Sequence, residues 1–233
     1  MKALIVLAHP EVQSFNAALC DAAAKALRAI GVEVEISDLY RQGFSATASR
    51  ADFLRPIHPE RLSYAHEQRH ASASRAYATE IVTEQDKVAR SNLVVFQFPM
   101  WWYGPPAILK GWCDRVLSNG FAYGDDQQFE NGLLRGRSAM LSVTTGGSEV
   151  ELWHDAPVTG SVEDVLRPLT GGVIRFTGMR LLPTFISYAP ARMSAEGRTA
   201  ELGRLEEHLR GAVAELSQPE AAVRLRTRRT TSA

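Results

Sequence analysis

Three short, unbroken apolar runs constrain this chain most. Residues 3–8 (ALIVLA), 92–98 (NLVVFQF) and 138–143 (SAMLSV) lack the alternation of apolar and polar positions that marks a half-solvated strand. Continuous runs of this length are expected of strands covered on both faces, the arrangement of a parallel sheet wrapped by crossover helices. The segments between them carry helical spacing. Over 14–29, Phe15, Leu19, Ala22, Ala23, Ala26 and Leu27 recur on one face, Gly31 is a stop signal, and 32–36 alternates as a further strand. Helices are predicted over 76–90, 105–117, 162–176 and 195–216, and a fifth strand over 181–187. The result is a doubly wound α/β fold of five parallel strands, which binds ligands at the carboxyl ends of its strands.

A chain of 233 residues with 45% hydrophobic content suits one large domain, here 1–216, followed by a polar, basic tail over 217–233 that is expected to be disordered. Lys+Arg and Asp+Glu both number 26, so global charge directs the protein neither to nucleic acid nor to a membrane. Cys20 and Cys113 lie far apart and form no CxxC pair, which fits a reducing, cytoplasmic setting. No apolar run approaches the roughly 20 residues of a membrane span, and MKALIVLAHP is too brief for a secretory leader.

Three strand-end loops carry ligand chemistry. After the first strand, His9 leads to Ser14, a helix N-cap, and the free amides near Ser14, Phe15 and Asn16 suit a phosphate or pyrophosphate. Any helix N-terminus offers such groups, so the loop alone does not decide the matter. After the third strand come Pro99, Met100, Trp101, Trp102 and Tyr103, flat side chains where small polar turn residues are usual. They suit a flat ring, or else a core or a subunit interface. After the fourth, Thr144, Thr145, Gly146 and Gly147 allow close approach of backbone to ligand. One further string, His66-Glu67-Gln68-Arg69-His70, matches HExxH, whose histidines would share a helix face and ligate zinc. Its flanks are polar and no third ligand accompanies it, so chance spacing is the better account and no metal is expected.

Residues 96–116 (FQFPMWWYGPPAILKGWCDRV) closely resemble a segment of the NAD(P)H quinone oxidoreductases, or DT-diaphorases. The likeness extends to ALIVLAHPEVQSFN, to SDLYRQGFSATASRADF and to LSVTTGGS. It implies a flavodoxin-like sheet in the order 2-1-3-4-5 and a homodimer that binds FAD, or FMN as in shorter relatives. It also implies a ping-pong hydride relay from NAD(P)H to quinone-like acceptors. By matching position, His9, Ser14, Phe15 and Asn16 would hold the diphosphate and adenosine half. Pro99 to Tyr103 and Thr144 to Gly147 would enclose the isoalloxazine. Asp114 would stand on the cofactor side and Arg198 near the adenine, while Tyr123 would reach the acceptor pocket across the dimer. The chain departs from the mammalian pattern after Gly147, where a Tyr and a His are replaced by Leu152 or Trp153 and a displaced His154; Trp153 and His154 are therefore acceptor-pocket candidates. Two other functions share this resemblance: a redox-sensing ancillary subunit of a potassium efflux system, and an azo- or nitro-reducing flavoenzyme.

Overall fold

The computed structural model describes residues 1–58, 60–153 and 160–216; the tail 217–233 and His154 lie outside them. Strands β1 (Lys2–Leu7), β2 (Glu33–Asp38), β3 (Leu93–Pro99) and β4 (Ser138–Thr144) alternate with helices α1 (Phe15–Ala29), α2 (Tyr64–Ser74), α3 (Thr79–Arg90) and α4 (Ala107–Val116). The short α5 (Glu149–Trp153) follows β4, then α6 (Val162–Leu169), β5 (Arg180–Leu181), β6 (Phe185–Ser187) and α7 (Ala195–Leu216). The sheet order is β2-β1-β3-β4-β5, every pairing is parallel, and β6 also pairs with β4.

The unbroken apolar runs have a direct cause. Leu4, Val6, Val94, Phe96, Leu141 and Val143 face a core made with Leu109, Trp112 and Val116 of α4. Ala3, Ile5, Leu7, Val95 and Met140 face the opposite core, made with Leu19, Ala23 and Leu27 of α1 and Leu205 and Leu209 of α7. Each strand residue is buried whichever way it points, so no alternation survives in the sequence. Cys20 and Cys113 are buried free thiols that burial pushes up to about 12, so neither offers a thiolate at neutral pH.

The fifth strand predicted over 181–187 is two short strands separated by Leu182, Pro183 and Thr184. Pro183 has no amide to give the ladder. Its carbonyl is instead met by His208 Nε2 at 2.8 Å, and Arg204 of α7 donates to the Ile186 carbonyl. These contacts cover an edge that would otherwise be open. The helix predicted over 162–176 holds α-helical geometry only to Leu169, beyond which residues 170–175 widen into a π-helical turn. Pro168 sits inside α6, and Phe176 N–H reaches the Gly171 carbonyl at 3.1 Å, five residues back.

The segment between β2 and α3, where the sequence shows no sustained periodicity, contains α2. Its buried face is Glu67, Gln68 and Ala71, largely polar, so no apolar stripe announces it. Ion pairs and close packing pin this excursion to the body. Arg115 of α4, 5% exposed, meets Asp52, 2% exposed, at 2.8 Å and also bonds Glu80 and the Ser45 carbonyl. Tyr64 donates to the same Asp52, and burial, with Asp52 beside it, raises the phenol. Gly111 lies so close under Ala46 that a Cβ there would stand 2.1 Å from the Ala46 carbonyl oxygen.

Candidate functional site

The loops after β1, β3 and β4, together with the segment after β6, enclose a cavity of about 440 Å³ at the carboxyl ends of the strands. Ser14 sets its first wall by accepting the Ala17 amide in an N-cap bond of 3.1 Å, which starts α1 with the Phe15 and Asn16 amides unused by the helix. The first turn of α1 holds no acidic residue, so its positive end is not neutralised from within. His9 Nδ1 lies 3.1 Å from the Glu11 amide and 3.3 Å from the Glu11 carbonyl, so the ring is held against the backbone of its own loop. Arg198 lines the same cavity, held by its own bond from Nη1 to the Met193 carbonyl at 2.6 Å. No carboxylate is among the lining residues. A helix N-terminus, an arginine and a histidine without an acid between them suit a bound anion.

A buried polar chain ties the loops together. Gln97 Nε2 donates to Asn16 Oδ1, and Asn16 Nδ2 donates to Thr144 Oγ1, both at 2.9 Å. Asn16 thus has both its side-chain amide atoms engaged in this chain and turns its backbone amide to the cavity. Gln97 Oε1 lies buried behind it without a partner. Met100 N–H bonds the Thr144 carbonyl, Thr145 N–H bonds the Ser187 carbonyl and Ala189 N–H bonds the Thr145 carbonyl. A Cβ at Gly146 would meet nothing within 4 Å, so the cavity is open at that point. Gly147 is different, since a Cβ there would press on Leu152 at 3.2 Å. A side chain at Gly147 would need Leu152 to give way by a few tenths of an ångström.

The aromatic cluster divides. Pro99, Met100 and Trp101 line the cavity, and Trp101 lies 6.3 Å from the His9 ring. Trp102 and Tyr103 form the tip of a tight turn closed by paired bonds between Trp101 and Gly104. Both take positive φ, +50° and +56°, as a two-residue hairpin turn demands and bulky residues resist. Trp102 is 99% exposed, while Tyr103 faces Trp153 with ring centroids 6.4 Å apart. Leu152 packs on Gly147, and Trp153 lies beside Tyr103 of the aromatic loop.

Two predicted residues lie elsewhere. Asp114 and Tyr123 line a second cavity of about 230 Å³ together with Gln68, Val173 and Phe176. Asp114 is half-exposed and paired with Lys110 at 2.6 Å, and burial raises the Tyr123 phenol. A groove of about 840 Å³ along β5 and α6 is larger than either, but no aromatic ring lines it. Pro190 and Ala191 of the strand-end cavity were not found by sequence reading; their one signal is the position just past the fifth strand.

The HExxH string has a structural role. Glu67 is 1% exposed and accepts the Ile57 and His58 amides at 2.8 and 3.1 Å. Burial alone would raise its carboxyl, but these amides, with His58 and His70 nearby, hold it below the usual value. Among the described residues no group of three or more His, Cys, Asp or Glu is placed to hold a metal ion, and no helix is long and apolar enough to cross a membrane.

A parallel sheet in this order, with an anion-suited cavity at its strand ends, defines a flavodoxin-like protein, and a family model described as flavodoxin-like fold matches residues 1–209. The ribosyldihydronicotinamide dehydrogenase [quinone] of Homo sapiens is 40% identical over 209 residues, 89% of this chain and 90% of that protein. The NAD(P)H dehydrogenase [quinone] 1 of Cavia porcellus is 38% identical over 209 residues, 89% and 76% of the two chains. A Klebsiella pneumoniae structure, provisionally named a quinone reductase, superposes with a TM-score of 0.84 at 33% identity, covering 90% of this chain and 83% of its own. The chain belongs to the NAD(P)H quinone oxidoreductase family.

Proposed function

We propose that this protein is an NAD(P)H:quinone oxidoreductase that holds FAD in the strand-end cavity. The observation that carries the reading is the cavity itself, which combines a helix N-terminus, Arg198, a flat Pro99-Met100-Trp101 wall and no carboxylate. The relatives named for quinone-dependent dehydrogenase activity support the reaction class.

The residues fit a flavin. The Phe15 and Asn16 amides and Arg198 would receive a diphosphate, and the Thr144, Thr145 and Gly146 backbone would approach the ring system from the side facing Pro99, Met100 and Trp101. Two separate anion-suited groups favour the diphosphate of FAD over the single phosphate of FMN. The chemistry a flavin supplies is hydride acceptance from NAD(P)H and hydride donation to a quinone in two half-reactions. The protein's part is to bind, orient and exclude water. Trp102, Tyr103, Gly147 and Trp153 belong to the rim where an acceptor would enter.

Asp114 and Tyr123 are absent from the strand-end cavity. In a homodimer with composite sites they would contribute from a second copy, whose smaller cavity would lie against the rim. Two buried free cysteines support a cytoplasmic setting.

Two-substrate kinetics with NADH or NADPH and menadione test the reading. Parallel double-reciprocal lines are expected of alternating half-reactions. Purified, flavin-loaded protein without quinone-dependent NAD(P)H oxidation would overturn it.

A further inference from the structure

Gln97 is the one polar residue of β3, a strand that is buried along its whole length. A side-chain amide in such a place costs free energy unless its groups are bonded. Gln97 recovers only part of that cost, since Nε2 donates to Asn16 Oδ1 at 2.9 Å while Oε1 has no partner. An apolar side chain would suit the strand better. The reason for a glutamine therefore lies in what its one side-chain bond does.

That bond sets a direction. With Oδ1 taken by Gln97, Asn16 presents Nδ2 to Thr144 and donates to its Oγ1 at 2.9 Å. The opposite orientation of both amides would bury the Gln97 N–H groups without an acceptor, which is costlier than the orphaned carbonyl oxygen of the present arrangement. A hydroxyl that accepts from one neighbour keeps its own proton for another acceptor. Thr144 lines the strand-end cavity, so its proton is available there. Thr145 differs, because its Oγ1 donates to the Gly147 carbonyl at 2.8 Å and its proton is already spent.

We propose that Gln97 is a positioning residue for the cofactor: acting through Asn16, it holds the Thr144 hydroxyl as a hydrogen-bond donor to an acceptor atom of the bound flavin. The inference rests on the flavin reading above and adds to it a residue that lies outside the cavity lining. Gln97 touches no ligand; it decides which way the Asn16 amide faces, and Asn16 decides where the Thr144 proton goes.

The test measures FAD binding to full-length apo-protein by quenching of flavin fluorescence. Gln97→Met, similar in size but without an amide, leaves Asn16 free to face either way. Thr144→Val removes the hydroxyl itself. Each is expected to weaken FAD binding about fivefold, the effect of one neutral hydrogen bond, and the double variant is expected to bind no more weakly than either. Gln97→Glu reads the direction. A neutral carboxyl donates to Asn16 as the amide does, whereas a carboxylate accepts from Asn16 Nδ2, turns Oδ1 toward Thr144 and draws the hydroxyl proton inward. Burial raises such a carboxyl, so the affinity of Gln97→Glu is expected to match wild type at about pH 5 and to fall below it as pH rises toward about 9. A role confined to packing would give no such pH dependence. Unchanged FAD affinity in Gln97→Met or Thr144→Val, losses that simply add in the double variant, or a pH-independent ratio of Gln97→Glu to wild type would overturn the assignment. If Gln97→Met fails to fold, Thr144→Val and Gln97→Glu decide. Wild-type protein that takes up no FAD would instead remove the flavin reading, and the relay with it.

Discussion

Single residues at the strand ends carry conformations that their own chemistry opposes. Trp102 and Tyr103 occupy consecutive positive-φ positions, where Asn and Gly are the residues a two-residue turn normally selects. Trp102 buries almost nothing, so packing does not offset that cost. Trp102→Asn is expected to stabilise the fold by about 0.5–1 kcal/mol, read as a shift in the urea midpoint at constant slope. An aromatic cluster at a strand end was legible as such in the sequence. Its division into Trp101 facing inward, Tyr103 facing Trp153 and Trp102 facing solvent was not, because backbone twist decides it and composition does not report twist. Asn16 teaches the same point: its place at a helix start was readable, but its bonds to Gln97 and Thr144 join α1 to β3 and β4, elements distant in sequence.

Elements with one apolar face or two were read well, and elements held by polar contacts were missed. Strands β1, β3 and β4 and helix α7 fall where the apolar pattern puts them. Helix α2 escaped because it buries Glu67 and Gln68, and the fifth strand is predicted whole although Pro183, which cannot donate to a ladder, stands within the run. Helix α5 depends on its caps and on Arg192. The Arg192 guanidinium, followed by the Ser148 amide and hydroxyl, lowers the Glu151 carboxyl from 4.5 to about 2. A carboxyl depressed by folding contributes stability that is complete above its unfolded value and is lost as pH falls toward the folded one. The difference in Tm between wild type and Glu151→Gln is therefore expected at pH 6 and is expected to shrink as pH drops from about 4.5 toward 2. A difference that grew on acidification would contradict the pairing.

At the scale of the molecule, the parallel pairing of every strand sends the loops at their carboxyl ends to one edge, and that edge is where the cavity lies. The long excursion after β2 is held against this frame by buried ions together with a small apolar cluster of Phe53, Tyr64, Ala71, Tyr77 and Ile81. Removing Arg115 would leave Asp52 buried with the Tyr64 hydroxyl and the Ser49 amide as its remaining partners. Arg115→Met is expected to cost about 3–5 kcal/mol in chemical denaturation, far more than an exposed pair would. The sheet order and the three loops that enclose the strand-end cavity were legible in advance because they follow from local pattern and from a specific family likeness. The position of Asp114 and Tyr123 in a separate cavity was not, since no local pattern reports which wall a side chain joins. The central claim is that the strand-end cavity binds a flavin, and titration of apo-protein with FAD and FMN, followed by quenching of flavin fluorescence, tests it most directly. Equimolar uptake, tighter for FAD than for FMN and weakened by Arg198→Ala, is the expected result; protein that takes up neither flavin would contradict the account.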